Sequence, residues 1–86
     1  AESYNEEARQ LMKEKQYVAA REKLERCVKL APNFPDCHKN LGTVWAQLGD
    51  SRRAAEEYRR FLDLAGPDHP SYPKVKEILE SYEQAR

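Results

Sequence analysis

The chain has 86 residues and balances 15 Lys and Arg against 15 Asp and Glu, so its formal net charge is zero. One domain of this length buries only about 60% of its unfolded surface, which leaves little room for an enclosed catalytic cavity. The neutral balance argues against nucleic-acid and anionic-membrane partners, which call for a basic excess, and the longest apolar run, Tyr17-Val18-Ala19-Ala20, is far too short for membrane insertion.

The chain opens on Ala1-Glu2, without an initiating Met or a signal-peptide pattern, and reads as part of a larger chain. Tyr4, Ala8 and Leu11 recur at helical spacing, which predicts a first helix. After a polar stretch, Tyr17, Ala20, Leu24, Cys27, Val28 and Ala31 form a second stripe. Pro32 and Pro35 then break the chain. His38, Leu41, Gly42 and Trp45 make a third stripe, followed by Leu48. Gly49-Asp50 reads as a stop and a start: glycine closes one helix in the left-handed conformation and aspartate caps the next. Ala54, Tyr58, Phe61, Leu62 and Ala65 form a fourth stripe, and Gly66, Pro67 and Pro70 end it. Val75, Ile78, Leu79 and Tyr82 form the last, with Ser71 as N-cap and Pro73 in the first turn. The expectation is five helices of roughly 12–15 residues and no sheet.

Shifting the sequence by 34 positions superposes its halves. Ala20 falls on Ala54, Glu22 on Glu56, Arg26 on Arg60, Leu30 on Leu64 and Ala31 on Ala65. Tyr4 falls on His38, Ala8 on Gly42, Leu11 on Trp45 and Leu24 on Tyr58. A period of 34 is that of helical-hairpin repeats. The chain resembles the tetratricopeptide repeat family. Its first match runs through Tyr4, Ala8, Leu11, Tyr17, Ala20, Leu24, Leu30 and Pro32. Its second runs through Leu41, Gly42, Trp45, Gly49-Asp50, Ala54, Tyr58 and Leu64, and Phe61 lies on the same stripe. Glu7 stands where Leu is usual, His38 where an aromatic is usual, and Pro67 falls one place late.

The resemblance implies one repeat over 1–34, a second over 35–68 and a capping helix over 69–86. The expected fold is all-α, a short right-handed superhelical solenoid of two antiparallel helical hairpins plus that cap. The small residues Ala8, Ala20, Gly42 and Ala54 are expected where helices cross closely. The expected function is protein–protein interaction as an adaptor or scaffold segment, with no enzymatic reaction, no cofactor and no metal.

In this family the first helices line a concave groove. Opposite the apolar stripe stand Asn5, Arg9 and Met12, with Lys13 beside them, and one repeat later Lys39, Thr43 and Ala46, with Gln47 beside them. Asn40 borders this face, and Glu2 and Asp36 lie at its rim. Arg9 and Lys39 are expected to act together on an extended, acidic segment of a partner protein, over a small apolar floor of Met12 and Ala46. Some relatives clamp a C-terminal carboxylate with a particular Lys/Asn/Arg set. Asn40 and Lys74 match that set, whereas Asn5 and Arg9 do not, so that activity is not carried over.

Three other features bear on function. Cys27 and Cys37 read as reduced structural thiols, Cys27 on the core-facing stripe, which favours a reducing, cytoplasmic location; a disulfide, a thiol-redox role or a metal site are the alternatives. Glu22 with Arg26, and Glu56 with Arg60, have ion-pair spacing on solvated helix faces. The final helix either caps the preceding pair or pairs two copies into a homo-oligomer.

Overall fold

The computed structural model describes residues 2–84 as five α-helices: α1 Glu2–Lys13, α2 Tyr17–Leu30, α3 Pro35–Gln47, α4 Ser51–Ala65 and α5 Tyr72–Gln84. Ala1, Ala85 and Arg86, at the outer ends of the segments expected over 1–34 and 69–86, lie outside the described residues. No strand occurs among the described residues. The proline breaks separate α2 from α3 and α4 from α5, as expected from a residue type that lacks a backbone donor.

Helix ends follow local chemistry. Gly49 sits at φ +87° and ends α3 in a two-bond closure, its N–H reaching the Ala46 carbonyl at 3.1 Å and that of Asp50 reaching Trp45 at 2.9 Å. The Asp50 carboxylate then accepts the Arg53 N–H at 3.0 Å and caps α4. α1 ends the same way at Lys15, φ +61°, with N–H bonds from Lys15 to Met12 at 3.0 Å and from Gln16 to Leu11 at 2.8 Å. Lys15 thus does in the left-handed region what Gly49 does, but with a Cβ that disfavours it by roughly 1–2 kcal/mol. Lys15→Gly is expected to raise stability by about 0.5–1 kcal/mol, since glycine's larger unfolded-state entropy offsets part of the relief; a higher thermal midpoint would register it.

α1 packs on α2, α2 on α3, α3 on α4 and α4 on α5, and α1 also reaches α3. The core has two parts. Ala8, Ala20, Leu24, Cys27, Cys37, Leu41 and Val44 form one, with Tyr4 and Leu11 packed against it. Ala54, Tyr58, Phe61, Val75 and Leu79 form the other, and Trp45 packs against both. Trp45 also carries a guanidinium from each neighbouring helix, Arg21 at 5.5 Å and Arg53 at 4.9 Å from its ring centre. At the meeting of α3 and α4 there is no room for a side chain at position 42. A Cβ there would stand 2.9 Å from the Tyr58 ring and 3.2 Å from the Ala54 carbonyl oxygen. The radius of gyration is 12.0 Å, close to the roughly 12 Å of a globular chain of this length.

Two expectations are corrected. Cys27 and Cys37 are not free thiols: they form a disulfide joining α2 to α3, with both residues fully buried. Their Cα atoms are 6.2 Å apart, inside the range a disulfide spans. The inward side of α2 meets the first turn of α3, which brings together two residues ten apart in sequence. A buried disulfide gives no support to a reducing compartment, because structural disulfides persist in oxidising ones. The second correction concerns Arg60, which pairs with Glu57 at 3.2 Å, while Glu56 pairs with Arg52 at 3.9 Å. On α2 an ion pair forms between Arg21 and Glu25 at 4.0 Å. Across helices, Lys23 reaches Glu7 at 3.0 Å and Arg59 reaches Glu83 at 2.9 Å. Apart from Arg60–Glu57, whose carboxylate is only 12% exposed, these surface pairs each contribute at most about 1 kcal/mol.

Candidate functional site

The contact between α1 and α3 rests on a buried amide pair. Asn40 Nδ2 donates to Asn5 Oδ1 at 2.7 Å, and both residues are more than nine-tenths buried. Asn5 was expected to project into the groove; its side chain instead joins the two helices beneath it. Beside this pair lies an open depression of about 350 Å³, lined by Arg9, Met12, Lys13, Tyr17, Asn40, Thr43 and Gln47. Six of the nine expected groove residues therefore share one concavity, which opens between α1 and α3 at the start of α2.

Tyr17, expected on the apolar stripe of α2 and in the first repeat match but not in the groove, also lines the depression. It stands at the first position of α2, half-buried, so its ring can serve the core and the depression together. Ala46 packs instead against the α4–α5 cluster. Lys39 is half-buried and donates from Nζ to Ser71 Oγ at 3.3 Å, just before α5. The cation beside Arg9 in the depression is thus Lys13 rather than Lys39.

Three of the lining residues, Asn40, Thr43 and Arg9, already have hydrogen-bond partners. Thr43 Oγ1 donates to the Lys39 carbonyl at 3.2 Å and lies 3.0 Å from the Tyr58 hydroxyl, which therefore supplies the proton of that second bond. Burial lifts the Tyr58 phenol above its ordinary pKa of 10, keeping it a neutral donor. Arg9, Lys13 and Gln47 are exposed, and Met12 is half-buried. Arg9 Nη1 reaches Glu6 Oε1 at 3.0 Å with more than half of each side chain in solvent. No carboxylate is among the lining residues, so within a neutral molecule this depression carries one sign. A second depression of about 530 Å³ between α4 and α5 mixes Arg52 and Arg59 with Glu56 and Glu83, whose charges pair with one another.

Asp36, His69 and Ser71 have the residue types of a charge-relay set, but their geometry differs. His69 Nδ1 accepts the backbone N–H of Ser71 at 3.0 Å, and its Nε2–H donates to Asp36 Oδ1 at 2.9 Å. Both ring nitrogens are occupied, and neither is placed to take a proton from the Ser71 hydroxyl. The ring stands edge-on to Phe61 at 4.9 Å, so these contacts tie the α4–α5 connection to α3. Among the described residues, no group of three or more His, Cys, Asp and Glu side chains could hold a metal ion. Neither a protein-family model nor a curated protein matches the chain.

Proposed function

We propose that the chain is a protein-interaction segment of the tetratricopeptide type, two helical hairpins and a capping helix, that binds an extended acidic segment of a partner in the depression between α1 and α3. The observation that carries this reading is the single sign of the depression: Arg9 and Lys13 over a floor of Met12 and Tyr17, with Gln47 as an exposed amide. The repeat architecture draws support from local geometry. α2 and α4 begin 34 residues apart, at Tyr17 and Ser51, and the matching two-bond closures at Lys15 and Gly49 are also 34 apart. α4 is one residue longer than α2, which accounts for the late closing proline.

The rival reading, self-association through α5, has less support. Val75 and Leu79 are buried against α4, and Ile78 and Tyr82 pack on the same cluster. Lys74, Lys76, Glu77, Glu80 and Glu83 face solvent. Sedimentation over a range of concentrations tests that rival directly.

The probe for the binding reading is a short fluorescent peptide of glutamates flanking one leucine. A groove this short supports a dissociation constant in about the micromolar range, because ordering the peptide offsets most of the contact energy. Arg9→Glu with Lys13→Glu should abolish binding and lower the thermal midpoint by only a few degrees, since both side chains are exposed. What is lost is the Arg9–Glu6 surface pair and the Lys13 charge in the last turn of α1, each worth about 1 kcal/mol at most. Raising salt should weaken the wild-type interaction, as exposed charges are screened beyond about 8 Å at physiological ionic strength. A separate Lys39→Glu variant should matter less for affinity. Normal binding by the double reversal would sink the proposal.

A further inference from the structure

His38 follows Cys37 on α3 and is 5% exposed. Its Nδ1 lies 2.7 Å from Glu57 Oε1 on α4, and its Nε2 lies 2.8 Å from the Pro32 carbonyl oxygen in the α2–α3 turn. A carboxylate and a carbonyl both accept and neither donates. A neutral imidazole has one N–H and can serve only one of them; the imidazolium serves both. Arg60 Nη1 donates to the second carboxylate oxygen of Glu57 at 3.2 Å, which favours an ionised Glu57 and leaves the proton on the ring. We propose that His38 is a proton-dependent latch: charged, it ties the α2–α3 turn to α4, and on losing its proton it releases the turn.

The surroundings decide how the latch titrates. α4 presents Glu57, Arg60 and Asp63 on this side, and α2 and its turn present Val28 and Pro32, which carry no charge. The Glu57 hydrogen bond raises the His38 pKa above its ordinary 6.5, and its effect exceeds that of burial, which lowers it. The open depression of about 380 Å³ that His38 helps to line gives water a route to the ring. Because the folded value is raised, the stabilisation is fully present below about pH 6.5 and fades as pH rises through the folded value. The bond to Glu57 is charge-assisted and outlasts the bond to a neutral carbonyl, so the Pro32 contact is the one released. The Cys27–Cys37 bridge still joins α2 to α3, which keeps the release local to residues 31–34.

The test uses the oxidised chain. Ring proton signals of His38 and His69 are followed by NMR against pH, and backbone amide exchange is measured over the same range and corrected for its intrinsic base dependence. The expected result is a His38 midpoint above 6.5, with faster corrected exchange at the Phe34 amide, which bonds to Ala31, across that midpoint. The wild-type thermal midpoint should fall over the same interval, and His38→Gln should lose that step. A His38 midpoint at or below 6.5, or unchanged exchange at Phe34, overturns the proposal. Both readings come from the unaltered protein and hold even if the variant folds poorly.

Discussion

Gly42→Leu is expected to be among the most destabilising single substitutions in this protein, at about 2–3 kcal/mol net. Even a first added carbon would lie 2.9 Å from two carbons of the Tyr58 ring and 3.2 Å from the Ala54 carbonyl oxygen. The backbone oxygen cannot move without shifting α4. The ring is 4% exposed, stacks on Tyr82 with centres 6.2 Å apart, and is tied through its hydroxyl to Thr43. A helical glycine would ordinarily gain up to about 1 kcal/mol from replacement by a better helix former. At position 42 overpacking of about 1–3 kcal/mol opposes that gain, and leucine's branched chain takes the clash to the upper end. Gly42→Ala sets the two effects almost level and should be mildly destabilising. Ala54→Leu adds bulk at the same meeting of helices, where Ala54 is fully buried, and should also destabilise strongly. The exposed Lys29→Ala serves as control and should stay within about 0.5 kcal/mol. In a chain this short each kcal/mol moves the thermal midpoint by about 4–8 °C, so far-UV circular dichroism melts separate these cases. If the leucine variants melt with the wild type, α3 and α4 do not meet closely at Gly42.

What could be read from the sequence was what depends on near neighbours. Gly49-Asp50 carries its own conformational signal, and the helix stop and cap stand there. Of the small residues at helical spacing, Gly42 stands where α3 and α4 come closest, against Ala54 and Tyr58, and Ala8 and Ala20 are fully buried. Lys15 carries no such signal, since lysine does not announce a positive φ, and no turn of this kind is expected there from the sequence. The Cys27–Cys37 bridge depends on how α2 is set against α3, and a spacing of ten residues across a turn does not reveal that. The His38–Glu57 pair is likewise a product of packing, since its members lie 19 apart on different helices. In the candidate site, Arg9, Met12, Lys13, Asn40, Thr43 and Gln47 lie on helix faces that spacing alone defines, and they line one depression. The inward turn of Asn5 is not legible from spacing, because it depends on Asn40 lying opposite it. Lys39 left the set because the six-residue connection before α5 brings Ser71 within its reach.

Removing the Cys27–Cys37 bridge is the other change with a large expected effect. Closing a loop of ten residues restricts the unfolded chain by about 2.5–3 kcal/mol on the loop-entropy account. That is a large share of the roughly 4–13 kcal/mol available to a chain of this length. The choice of variant matters, because both cysteines are fully buried. Replacing both with serine would add buried hydroxyls, each costing roughly 1–3 kcal/mol if left without a partner. The double alanine variant avoids that cost and leaves a small void, so its loss should lie closest to the bridge's own contribution. The expected order of stability is oxidised wild type, then the alanine pair, then the serine pair. Alkylation in denaturant without reductant, followed by mass spectrometry, should find no labelled cysteine. Reduction under native conditions should be slow, because thiol–disulfide exchange needs an attacking thiolate to reach a sulfur and here both residues are enclosed. Denaturant should accelerate it. The decisive comparison is the thermal midpoint with and without prior reduction in denaturant and refolding under reductant. Equal midpoints, together with two cysteines that label freely without reductant, would mean that the α2–α3 joint is held by packing alone.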